Sequence, residues 1–177
     1  MPSRRHLRLL AAVAVVLPCA GHTDELGQIT AFMDGDQRTW HVITFEQSGR
    51  DFATATFRQS GHLAELQMQG HPVPEFTSKE VLSIDARFKG LYTPEAEPMS
   101  VDILYTPNGL SGPFWTSRGT QEQPDFEILS FDIWGDVGTL SALFSGQICK
   151  RQRLFSQTDT TDCIRVNGLV ETRVEMR

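Results

Sequence analysis

Cys163-Ile164-Arg165-Val166-Asn167-Gly168-Leu169-Val170-Glu171-Thr172-Arg173-Val174-Glu175-Met176 alternates without a break. Ile164, Val166, Gly168, Val170, Thr172, Val174 and Met176 share one face. Cys163, Arg165, Asn167, Leu169, Glu171, Arg173 and Glu175 share the other. Successive side chains of a strand point to opposite sides, so this period of two marks a β-strand with one face buried. The run 139–149 has the same grammar: Leu140, Ala142, Phe144, Gly146 and Ile148 line one face. Cys149 lies opposite them with Ser141, Ser145 and Gln147. A polar connection, 150–162, joins the two runs. If they pair antiparallel, Cys149 and Cys163 come opposite each other and within disulfide reach. The spacing is far from C-x-x-C and no histidine is near in sequence, so a redox-active or metal-binding pair is the weaker reading.

The rest of the chain extends the pattern. Further strands are expected at 28–33, 38–46, 52–59, 63–69, 81–89, 100–106 and 126–134, separated by Gly, Pro, Asp and Ser turns. Asp34-Gly35-Asp36 joins the first two, and Asp-Gly is a strong hairpin signal. No helix is expected after the first residues. Nine short strands predict an all-β fold, an antiparallel β-sandwich, with a closed β-barrel as the alternative. Trp40 and Trp134 fall within strands and are expected in the core. No repeat or linker divides the chain, so residues 22–177 read as a single domain.

Residues 1–21 read differently. Arg4, Arg5, His6 and Arg8 form a basic head, Leu9 to Leu17 an apolar run, and Pro18, Cys19, Ala20 and Gly21 a small-residue end. That is the anatomy of an export signal peptide, too short to span a bilayer. A cysteine after such a run can be a lipid anchor, but Pro18 precedes Cys19, so cleavage after Ala20 or Gly21 is expected instead. The twin-arginine route is matched only in part, because Arg8 interrupts the apolar positions. The expected location is periplasmic or secreted, with a lipoprotein anchored to an envelope membrane as the alternative. An oxidising compartment suits a disulfide. Losing Arg4, Arg5 and Arg8 lowers the net charge of −6 to about −9. Such a surface repels phosphate backbones and anionic lipid heads, which disfavours nucleic-acid binding.

Ile29-Thr30-Ala31 leading to Asp34-Gly35, then Gly138-Thr139-Leu140-Ser141-Ala142 and Phe144-Ser145-Gly146, then Val166-Asn167-Gly168, is similar to motifs of small secreted or lipid-anchored bacterial envelope proteins. The resemblance implies a β-sandwich and an envelope location. It implies no activity and no site residues.

Catalytic and metal signatures are weak. His22, His41, His62 and His71 have no metal-ligand spacing, and His62 and His71 flank one strand. Asp34, Asp36, Asp132, Asp136, Asp159 and Asp162 cluster at turns, where Asp bonds its local backbone, and no EF-hand spacing is present. Gly109-Leu110-Ser111-Gly112 is one residue short of a nucleophile elbow. No catalytic residue, metal or cofactor is expected.

Two long connections carry the functional expectation: 90–99, with Tyr92 and two prolines, and 107–125, with the pair Phe114-Trp115. Long loops on a rigid scaffold commonly bind partners. Tyr92, Tyr105, Phe114 and Trp115 are the candidate binding residues, for a protein or glycan partner. The competing expectation is that Phe114 and Trp115 fold back over the core. The expected function is a non-enzymatic binding module. A small periplasmic hydrolase, whose acids assemble from separate strands, and a structural envelope component are the alternatives.

Overall fold

A computed structural model describes residues 23–109 and 111–177; the expected export signal, Cys19 and His22 lie outside them. The fold is all-β, with eleven strands in one mixed sheet among the described residues. They are β1 (Asp24–Met33), β2 (Asp36–Gln47), β3 (Arg50–Ala53), β4 (Ala55–Ser60), β5 (Leu63–Gly70) and β6 (Val81–Lys89). β7 (Pro98–Thr106), β8 (Phe114–Thr116), β9 (Asp125–Trp134), β10 (Val137–Arg151) and β11 (Thr158–Met176) complete it.

The alternating C-terminal strand is the hub. β11 pairs antiparallel with β10 along most of its length, and with β1 from Val166 to Thr172. Its last residues, Glu175 and Met176, pair in parallel with Thr56 and Phe57 of β4. From β4 the ladder runs through β5, β6, β7, β8 and β10 and returns to β11, so the sheet closes on itself. β1, β2 and β3 extend from β11 as one wing, and β9 extends from β10 as another. The walls share one core: Ile29, Val42, Leu140, Phe144 and Val170 meet Leu66, Ile84, Phe88 and Ile103.

Local chemistry explains the elements. Asp34 and Gly35 form a two-residue turn with φ of 53° and 89°, the positive values that a tight hairpin between right-twisted strands requires. Gly70 clears the way for Trp40: a Cβ there would lie 2.5 Å from the Trp40 Cβ. The strand expected at 52–59 is divided at Thr54. The Thr54 N–H donates to the Ile43 carbonyl on β2, while its own carbonyl accepts from Gln69 on β5. The chain changes partners at that residue. The eleventh strand is β8, inside the expected 107–125 connection; it pairs with β7 and β10.

Trp134 is not in the core. It is 81% exposed, at the end of the β9–β10 hairpin, opposite the half-exposed Val137. The hairpin runs past the covered part of the sheet, so alternation there no longer separates inside from outside. Trp40 is buried as expected.

β2 also meets His71, the residue after β5, through backbone bonds of 2.7 and 2.8 Å between His41 and His71. The rings diverge. His41 Nδ1 meets Glu25, whereas His71 Nδ1 lies 3.0 Å from the Thr77 carbonyl. His71 is 1% exposed and its Nε2 has no hydrogen-bond partner. Burial pushes its pKa below the ordinary value of 6.5 and keeps the ring neutral. An unfolded His71 takes up a proton near pH 6.5, while the folded one resists. Its contribution is therefore intact above pH 6.5 and is lost as pH falls below it. Urea melts of the wild type and His71→Gln between pH 7 and 5 should show a shallower decline for the variant. Parallel declines would mean that other groups set the acid sensitivity.

Candidate functional site

The two long connections do come together. Residues 94–98 and 123–125 form facing parts of a groove of about 1250 Å³ that runs along the start of β9. The first wall is held by Gln59. Its Nε2 donates to the carbonyls of Gly61, Leu63 and Gly90, and its Oε1 accepts from the Tyr92 N–H. Tyr92 then anchors the loop by its ring, edge-on to Phe57, Phe88 and Phe131 at 5.4 to 5.6 Å. The second wall is fixed by Thr120, whose hydroxyl donates at 2.7 and 2.8 Å to the Ser117 and Glu122 carbonyls.

The groove contains Glu95, Glu97, Asp125 and Glu127, all exposed, and among the described residues no Lys, Arg or His lines it. Its apolar lining includes Phe126 and Val101, both buried, and the exposed Phe32 and Leu143. Register explains the outer part. Leu169 of β11 faces Leu143 of β10, which faces Glu127 of β9. Among the described residues, β9 pairs in the sheet with β10 alone. Its other edge is a row of backbone donors and acceptors open to a further strand. Leu129, Ile133 and Trp134 of β9 are exposed.

A second, smaller pocket of about 380 Å³ lies beside the β1–β2 turn. Tyr105, Trp115, Arg38, Asp34, Asp36 and Asp162 line it. Arg38 Nη1 donates to the Tyr105 hydroxyl at 3.1 Å, and burial raises the Tyr105 pKa against the opposing pull of that cation. Lys150 bonds Asp162 at 2.7 Å and lies 5.6 Å from the centre of the Trp115 ring.

The four aromatics named from sequence are therefore not one exposed patch. Tyr105 and Trp115 share the smaller pocket, with ring centres 6.5 Å apart. Tyr92 supports the groove wall from behind. Phe114 is 3% exposed within β8 and folds into the protein. Sequence reasoning did not single out the four groove acids or Phe32, Leu143 and Leu169. A signal was present: Leu143 and Leu169 are large apolar residues on the polar faces of otherwise regular strands.

Two carboxylates do face each other elsewhere. Asp85 and Asp102 are in register on β6 and β7. Burial, and then the Asp102 charge, push Asp85 above the usual carboxylate range. Asp102 is held by Arg118 at 2.8 Å. The pair lines neither the groove nor the smaller pocket. It has the character of an outer-face ion network rather than of a site with room for a substrate. Among the described residues, no helix is long and apolar enough to cross a membrane. No family model, curated protein or solved structure matches the chain.

Proposed function

We propose that this is a non-enzymatic binding module of the bacterial envelope, periplasmic or secreted, that captures an extended segment of a partner protein on the free edge of β9. The observation that carries the reading is the ten-residue strand β9, paired on one side only, with the groove of the two long loops beside it. An extended peptide added to such an edge gains main-chain hydrogen bonds, and adjacent pockets select its side chains. The basic head and short apolar run of residues 1–21 support the location. Cys149 and Cys163 support it too: they are in register and at disulfide distance, with Cα atoms 4.0 Å apart.

Selection from a displayed library of short peptides, followed by hydrogen exchange on the complex, tests the reading. Bound peptides should slow exchange at β9 amides. Copies N-methylated at alternate amides should fail to bind, because the methyl groups remove ladder donors. Peptides that protect other segments, or that tolerate N-methylation, would overturn it.

A glycan-binding reading rests on one specific observation, the grouping of Tyr105, Trp115, Arg38 and three aspartates in the smaller pocket. Such a pocket offers apolar faces for sugar rings and polar groups for hydroxyls. It ranks second because Lys150 already covers the Trp115 ring.

A further inference from the structure

The β9 wall of the groove alternates, and a turn across the groove presents two further acids. On β9, Asp125 and Glu127 are exposed, while Phe126 is 6% exposed and Ile128 packs against the core. On the facing loop, Glu95 and Glu97 are exposed, while Ala96 packs against the core. A strand added beside β9 meets carboxylates and apolar groups at alternate positions of β9, with Glu95 and Glu97 of the turn region as further acids of the groove. Among the described residues, no basic side chain lines the groove to offset the four acids.

We infer that the partner segment is an extended stretch in which Lys or Arg alternates with apolar residues. Its cations oppose Asp125, Glu127, Glu95 and Glu97, and its apolar side chains cover Phe126, Ile128 and Ala96. Opposite charges directly across two strands attract, and like charges repel. The same arrangement rejects acidic segments, so it sets specificity as well as attraction. This inference rests on the edge-capture reading and adds the chemistry of what is captured.

Three capped eight-residue peptides decide it: alternating Lys-Val, alternating Ser-Val and alternating Glu-Val. The Lys-Val peptide should bind about tenfold more tightly than the Ser-Val peptide, from several cross-strand pairs together. The Glu-Val peptide should bind more weakly than both. The preference for Lys-Val should shrink as salt rises from about 0.05 to about 0.5 M. In a variant carrying Glu95→Gln, Glu97→Gln, Asp125→Asn and Glu127→Gln, the two better peptides should bind within about twofold of each other. All four side chains are exposed; if the fourfold variant nonetheless melts early, Glu95→Gln with Glu97→Gln alone should lower the preference partway.

Equal binding of Lys-Val and Ser-Val, with β9 amides protected, would overturn the basic partner and leave edge capture standing. Lys-Val binding that leaves β9 unprotected would overturn both, as would failure of all three peptides to bind.

Discussion

Replacing Trp40 with Ala should cost about 3–5 kcal/mol of stability, the range for removing a large aromatic from a packed core. Trp40 is 2% exposed and joins three parts of the structure. Its ring stands edge-on to Tyr105 on β7 at 6.2 Å. Its Cβ approaches Gly70 on β5 so closely that no side chain fits there. Its Nε1 donates to the Glu80 carbonyl at 2.7 Å, just before β6 begins. Glu80 has φ of 56°, unusual for a non-glycine residue, and the indole bond helps to hold it there. Trp40→Phe separates the parts: it keeps most of the apolar volume but leaves that carbonyl without its indole donor. It should cost about 1–3 kcal/mol. Urea unfolding of both variants gives the answer. A loss below about 1 kcal/mol for Trp40→Ala would show that the core rearranges around the vacancy.

Converting Cys149 and Cys163 together to Ser should cost about 3 kcal/mol, from the closure of a loop of roughly this length. The two positions are 14 residues apart in sequence and directly opposed on β10 and β11. The effect should be local as well as global. Cys149 also faces Thr116 of β8, and the next residue, Lys150, faces Trp115. β8 is three residues long and is the step by which the ladder passes from β7 to β10. Losing the cross-link should therefore speed hydrogen exchange in β8 more than in β5 or β6. Treating the wild type with a thiol reductant should shift the urea midpoint to that of the double variant. An unchanged midpoint on reduction would mean that the pair contributes nothing in solution.

β10 and the part of β11 from Cys163 onward were legible because apolar residues recur at every second position there; 158–162, the start of β11, has no buried residue and read as connection. β6 was legible to the residue for the same reason. β8 was not, since three residues carry no period. The break at Thr54 was not legible either, because the strand keeps an extended backbone and only changes partner. Closure of the sheet depends on Glu175 and Met176 reaching Thr56 and Phe57, a contact between distant parts of the chain that no local pattern encodes. The two long loops border one groove, but composition gives no direction to an aromatic. Tyr105 shares its face with Trp115, its partner across β7 and β8, whereas Phe114 is buried on the opposite face, and Tyr92 is drawn in by three other rings. Leu143 and Leu169 carried the better signal, as apolar exceptions on polar faces.

The central place of β11 also fixes an order of events. The first strand, the fourth and the tenth all wait for the nineteen residues of Thr158–Met176 before their ladders are complete. A growing chain can form the β4–β7 meander early, from neighbouring hairpins, but cannot shut the ring. Folding dominated by such distant pairings is slow. The polypeptide should thus stay open and threadable until about its last ninth has emerged, then lock in a single late step. A stop a few residues before Glu175 would leave every other strand present and the circle unclosed.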